Sequence, residues 1–302
     1  MVSRKPARIR HFIFAGSVCA VAAVTFAGLG AVSLLAMLHV PRFAPEFSPD
    51  AADVQMVARD RAVLKASWLN PRPATGALQN CVLVLHGAGG TRSRAQRFVP
   101  FLRMRDYAVL APDMRAHGES GGDMVTYGVL EKYDAIDWAH WMRARGCGRI
   151  YAMGESLGAS VLIEAAAVEP VFTAIVAECP YADLLEEAEY RGSRMFPLPF
   201  FLASPVAKLA VTGGRIYARL AYGIDFGRVL PVESMARLHT PVLLIHGTDD
   251  TRTPPSHSGK LAAANPLYAS LWLVPGARHV GSFRSAPEEY RRRVLAWFAD
   301  HP

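Results

Sequence analysis

Five residues, Gly154-Glu155-Ser156-Leu157-Gly158, lie between the apolar run Ile150–Met153 and the helical run Ala159–Val168. A serine hydroxyl attacks a carbonyl once a neighbouring base takes its proton. The spacing fits a strand that turns sharply into a helix at the serine, with small residues where larger side chains would clash. A helix starting there aims backbone N–H groups and its dipole at the negative charge that develops during acyl transfer. Leu157 N–H is therefore one expected oxyanion donor. The second is expected from His86-Gly87-Ala88-Gly89-Gly90, which follows the apolar run Cys81–Leu85. A glycine-rich turn there exposes backbone N–H, and Ala88 N–H is the donor it offers. His86 itself reads as a structural histidine bonded to nearby backbone.

A serine nucleophile needs a base and an acid that orients the base. On a strand-turn-helix serine the acid and then the base follow later in the chain. Val242–Ile245 runs into His246-Gly247-Thr248-Asp249-Asp250-Thr251-Arg252-Thr253-Pro254, and Ala269–Val274 runs into Pro275-Gly276-Ala277-Arg278-His279. Both sets follow strand ends, where open α/β sheets collect ligands and reactive groups. Asp250 is the expected acid and His279 the expected base. Asp249 reads as a turn or cap residue, and His246 and His257 as turn or surface residues. His117, in Arg115-Ala116-His117-Gly118-Glu119-Ser120, reads as shaping the loop beside the site. No Cys-x-x-Cys or Cys/His spacing suggests a metal, so neither metal nor organic cofactor is expected.

The elements that must hold these residues alternate strand and helix, the pattern of a mostly parallel sheet with helices on both faces. Strands are expected at 62–68, 81–85, 107–111, 149–153, 173–177, 242–245 and 269–274. Helices are expected near 93–105, 128–145, 156–168, 256–264 and 287–299. From 181 to 238 no strand pattern occurs, and clusters such as Phe196-Pro197-Leu198-Pro199-Phe200-Phe201 fit an inserted helical cap better than a loop of that length. With 51% apolar and 20% charged residues the chain builds a sizeable core.

Arg4, Lys5, Arg8, Arg10 and Arg42 all precede the first acidic residue, Glu46. Beyond them 28 Lys and Arg face 26 Asp and Glu, so no strongly basic body remains to track nucleic-acid phosphates. Residues 12–40 hold no Asp, Glu, Lys or Arg over 29 positions, against about 20 needed to span a bilayer. A cleavable signal peptide has a shorter apolar region and a small-residue cleavage site, which is not evident near 35–41. The segment reads as an uncleaved signal anchor. It follows a basic cytoplasmic tail, 1–11, and leads through a linker, 41–55, to a domain over 56–302 outside the cytoplasm. In a bacterium that places the domain on the periplasmic side of the inner membrane.

Taken together, His86–Gly90, Pro112–Ser120, Gly154–Gly158, His246–Pro254 and Gly276–His279 resemble the α/β-hydrolase superfamily. Within it they resemble bacterial membrane-anchored serine hydrolases of the serine aminopeptidase-like and dienelactone hydrolase-like groups. Glu155 departs from the pattern, since histidine is frequent before the serine. The resemblance implies a sheet in which Cys81 and Cys147 share one edge, opposite the reactive groups. They could be bridged if their Cα separation stays below about 7 Å. It also implies that Cys179-Pro180-Tyr181 borders the pocket.

The expected activity is hydrolysis of a carboxylic ester with an apolar acyl or alcohol part, a small-molecule acyl substrate, through Ser156, His279 and Asp250. A peptidase or amidase is the alternative, with Glu186, Glu187 and Glu189 as candidates to hold a substrate amino group; solvation at the surface is the plainer account of those charges. Acyl transfer to an acceptor other than water is a further variant. A binding protein that kept the fold without activity would be expected to have lost one of the three reactive residues.

Overall fold

The computed structural model describes residues 37–71, 80–195 and 199–302, with Thr25, Gly28, Gly30, Val32, Leu34 and Leu35. Eight strands form one sheet: β1 (Ala52–Val57), β2 (Val63–Leu69), β3 (Asn80–Leu85), β4 (Tyr107–Pro112), β5 (Arg149–Glu155), β6 (Ile175–Glu178), β7 (Val242–Gly247) and β8 (Ala269–Val274). Their spatial order is β1-β2-β4-β3-β5-β6-β7-β8. β2 alone is reversed, pairing antiparallel with β1 and with β4; every other pair is parallel. β4, β6 and β7 are buried along their whole length. That follows from helices on both faces and explains why these strands are apolar runs without alternation.

The helices are α1 (Val99–Arg103), α2 (Glu131–Ala144), α3 (Leu157–Val168), α4 (Leu184–Ser193), α5 (Phe200–Tyr222), α6 (Pro231–Met235), α7 (Ser256–Ala264), α8 (Ser282–Ser285) and α9 (Pro287–Asp300). Short 3-10 turns cover Arg92–Arg97 and Phe226–Arg228. The chain divides into two compact units, Leu38–Glu187 with Phe226–Pro302, and Met1–Met37 with Ala188–Asp225.

The first unit contains the whole sheet. One face is closed by aromatic side chains: Phe98 stacks on Tyr290 at 5.7 Å between centroids, and Tyr151 meets Phe298 at 4.5 Å. Phe298 and Tyr290 are buried, and truncating such a ring costs about 3–5 kcal/mol. α3 packs against β5, β6, α2 and α6. The sequence expected a linker over 41–55, but β1 begins at Ala52 and pairs with β2 in register Ala52↔Trp68. Its residues are mostly exposed, as an edge strand's are, and so lack an apolar signal.

In the second unit α5 ends at Gly223, whose φ of 68° reverses the chain so that Ile224 N–H reaches Ala218 O. The described residues from Thr25 to Met37 are helical. Gly30 packs directly on α5: a Cβ there would sit 2.0 Å from Ala210 O. The described part of the insertion expected over 181–238 is mostly helical, yet its two ends belong to the sheet-containing unit and only Ala188–Asp225 to the other. No helix among the described residues is long and apolar enough to cross a membrane. The anchor expected over 12–40 falls largely outside the described residues.

Candidate active site

β5 delivers Ser156 to the carboxyl edge of the sheet, and α3 starts at the next residue. Ser156 takes φ 51° and ψ −114°, a backbone state costly for a side-chain-bearing residue and found where the surrounding fold enforces it. Two glycines make the turn possible. A Cβ on Gly154 would lie 2.6 Å from Ala159 N, and one on Gly158 would lie 2.6 Å from Leu85 O. Ser156 N–H donates to Glu178 O at 2.8 Å, which ties the turn to β6.

His279 Nε2 lies 3.0 Å from Ser156 Oγ, and its Nδ1 lies 2.7 Å from Asp250 Oδ2. The structure thus joins the three residues expected from the sequence, brought from the ends of β5, β7 and β8. Asp250 is buried, and its Oδ1 accepts Arg252 and Thr253 N–H, both at 2.9 Å. Burial alone would raise its carboxyl, but hydrogen bonds from His246 and His279 outweigh that and hold it below the usual carboxylate range. Asp249 is exposed and, among the described residues, its side chain accepts from the neighbouring Thr248 hydroxyl at 3.1 Å, consistent with a turn residue.

The turn after β3 lies against the serine, since a Cβ on Gly87 would come 3.2 Å from Ser156 Cβ. Ala88 and Leu157, the expected oxyanion donors, occupy this turn and the first position of α3. Among the described residues neither N–H donates to a protein group. His86 is buried, with Nδ1 donating to Gly87 O at 2.8 Å and Nε2 accepting Met114 N–H at 3.0 Å. Burial lowers its imidazole to about 3, so it is a neutral backbone clasp. His117 accepts Gly89 N–H at 2.9 Å and donates to Arg115 O at 2.9 Å. It fixes the same turn, as the sequence suggested.

His246 and His257 correct the turn or surface reading, because both are buried. His246 Nδ1 accepts the Ser258 hydroxyl at 2.7 Å, and Nε2 donates to Thr253 O at 2.9 Å while lying 3.2 Å from Asp250 Oδ2. It braces Asp250 from behind. His257 Nδ1 accepts Ala182 N–H at 3.1 Å and its Nε2 lies 3.5 Å from Glu187. Glu187 is buried and accepts the Thr253 hydroxyl at 2.8 Å, whereas Glu186 pairs with Lys260 at 2.5 Å. Surface solvation therefore holds for Glu186 and fails for Glu187. Glu155 is buried against Arg97, with Arg94 3.6 Å away.

Glu178 is a positioning group that sequence reasoning missed. Its Oε1 accepts Ser282 N–H at 2.9 Å and Oε2 the Tyr290 hydroxyl at 3.1 Å, which fixes the loop carrying His279. Its place at the end of β6, level with Glu155 on β5, was the available signal. Cys179, next in the chain, is buried and accepts Val280 N–H at 3.4 Å. Its Sγ groups with His246 and Asp250, but the latter two already spend their lone pairs on the hydrogen bonds above.

A model of the alpha/beta hydrolase family matches residues 82–293, and the chain belongs to that family. Among curated proteins it is similar to YqkD of Bacillus subtilis, 26% identical over 71% of this chain and 70% of that one. It is also similar to human ABHD12B, 28% identical over 60% of this chain and 48% of that one. Among solved structures, the Pyrococcus furiosus esterase Pf2001 superposes with a TM-score of 0.69 at 27% identity, covering 88% of this chain and 98% of that one. A Mycobacterium tuberculosis puromycin-hydrolyzing peptidase shares the fold, with a TM-score of 0.66 at 19% identity over 83% of this chain and 39% of that one. Family and esterase neighbours together support hydrolase activity.

Proposed function

We propose that the chain is a serine hydrolase that cleaves carboxylic esters, with Ser156 as nucleophile, His279 as general base and acid, and Asp250 as the residue that orients His279. The observation that carries this reading is the unbroken hydrogen-bonded chain from Ser156 Oγ through His279 to Asp250. Ser156 attacks the ester carbonyl as His279 takes its proton, and the tetrahedral oxyanion is held by Ala88 and Leu157 N–H. His279 returns the proton to the leaving alkoxide, and water then resolves the acyl-enzyme by the same route. The substrate carries an apolar acyl or alcohol part, in keeping with the apolar composition of the insertion. Similarity to the Pyrococcus furiosus esterase favours an ester over an amide. So does the commitment of Glu186 and Glu187 to Lys260 and Thr253, which leaves them ill suited to hold a substrate amino group.

The proposal extends to location: residues 12–40 anchor the chain, and the hydrolase domain lies outside the cytoplasm. The Cys81–Cys147 disulfide supports this, because structural disulfides persist in oxidising compartments. To test the mechanism, the purified chain is treated with a fluorophosphonate probe and assayed on p-nitrophenyl esters. Ser156→Ala is expected to abolish labelling and lower kcat by about 10⁴-fold or more. Unchanged turnover in that variant would overturn the assignment.

A further inference from the structure

α5 belongs to the unit formed by Met1–Met37 and Ala188–Asp225, and its described side chains are arranged inside out for water. Inward positions of α5 are small: Ala203, Ala207, Gly214 and Ala218 are buried, and Gly30 rests on Ala210. Its large apolar side chains point outward, with Leu202, Leu209, Ile216 and Leu220 exposed by 40–81%. At about 100° per residue these four fall within an arc of about 40°, one continuous stripe along the helix. Phe201 flanks it at 72% exposure. A helix folded in water buries its large apolar stripe; packing through small residues with large ones outward is how helices meet in lipid.

Charge names the occupant of that stripe. Lys208, Arg215 and Arg219 form a second exposed row beside it, and no acidic residue occurs between Glu189 and Asp225. Arg215 and Arg219 reach only long contacts to Asp225, at 3.7 and 3.8 Å. Counted over the sequence, this unit holds nine Lys and Arg against two acidic residues, and the sheet-containing unit holds 24 against 24. The whole +7 of the chain therefore resides in the unit that also presents the apolar stripe. α5 is not apolar enough to cross a membrane, and an amphipathic helix with a basic flank lies in the plane of the interface instead.

We infer that α5 is an in-plane membrane-binding helix for an anionic phospholipid bilayer: its Leu202, Leu209, Ile216 and Leu220 stripe enters the acyl region and Lys208, Arg215 and Arg219 meet the lipid phosphates. The inference stands on α5 alone and is independent of the anchor proposed over 12–40. The inference does not depend on ester hydrolysis and is read without it.

The test uses the full chain with Cys19→Ser, since Cys179 is buried and Cys81 is bridged to Cys147. An environment-sensitive fluorophore is placed in turn on Leu209→Cys, Ile216→Cys and Arg215→Cys. Each protein is reconstituted into phosphatidylcholine vesicles with about 30% phosphatidylglycerol, with or without brominated acyl chains. Brominated lipid is expected to quench the labels at 209 and 216 at least about twofold and the label at 215 less. Unquenched labels at 209 and 216 in protein that floats with the vesicles would overturn the inference and leave the anchor standing. Concentration-dependent cross-linking between two copies through position 216, without quenching, would assign the stripe to self-association and also overturn it. Protein that does not float would overturn both the anchor and the α5 inference.

Discussion

Asp250 and Asp249 are neighbours of one chemical type with opposite surroundings. Asp250 is buried and receives hydrogen bonds from Arg252 and Thr253 N–H and from His279, whereas Asp249 faces solvent. Asp250→Asn keeps the volume but turns an acceptor that orients His279 into a group able to present N–H. A loss of about 10⁴-fold in kcat is expected, with Asp249→Asn within about twofold of the parent. Steady-state kinetics on one ester separates the two, and similar losses in both would remove Asp250 from its role. His86 makes a different prediction, about pH. Folded, its imidazole releases its proton at about 3; unfolded, it holds the proton up to its ordinary value near 6.5. Below 6.5 the unfolded chain binds more protons, so this contribution to stability is whole above 6.5 and is lost as pH falls towards 3. The slope is roughly 1.4 kcal/mol per pH unit. His86→Gln keeps an acceptor for Met114 N–H and is expected to flatten the slope in urea denaturation between pH 4 and 6.5. An unchanged slope would place the acid sensitivity elsewhere.

At the scale of elements, the strand-turn-helix at Ser156 was legible because its signals are local: an apolar strand, two glycines at fixed spacing and a helix of small residues. Gly158 shows what the spacing protects, since a side chain there drives into Leu85 O at the end of β3. Gly158→Val is expected to cost about 1–3 kcal/mol and to shift the turn that carries Ala88. Thermal denaturation should show a lower Tm together with a fall in kcat; a variant with parental Tm and kcat would mean the turn has room to spare. What the sequence hid is pairing and depth. β1 escaped notice because Asp53 and Gln55 sit on an exposed edge, and only its partner β2 makes it a strand. The placement of β4 between β2 and β3 leaves no local trace. His246 reads as a turn residue because its local sequence shows a strand end; its buried partner Ser258 on α7 lies twelve residues further on. Glu178 was likewise opaque, since its partners Ser282 and Tyr290 are more than a hundred residues away.

For the whole molecule, the sheet separates what holds the chain together from what is proposed to react. Cys81 lies at the amino end of β3 and Cys147 just before β5, with Cα atoms 5.9 Å apart, inside the reach that the sequence left open. Asn80↔Arg149 and Cys81↔Ile150 pair β3 directly with β5, and Ser156 follows β5 at its opposite end. The bond closes a span of 66 residues, for which chain entropy gives a stabilisation of about 4 kcal/mol. Replacing both cysteines by serine is expected to lower the unfolding free energy extrapolated from urea denaturation by about that amount. It should leave kcat on an ester unchanged at temperatures where the chain stays folded, because the bridge touches none of Ser156, His279 or Asp250. The same bond reports on compartment. Cys81, Cys147 and Cys179 are all buried, so cells are lysed into denaturant containing an alkylating agent: Cys179 is expected to be modified, and Cys81 and Cys147 to be protected by their bond. Alkylation of all three would mean that the domain resides where thiols stay reduced, which would overturn its location outside the cytoplasm while leaving the proposed chemistry at Ser156 untouched.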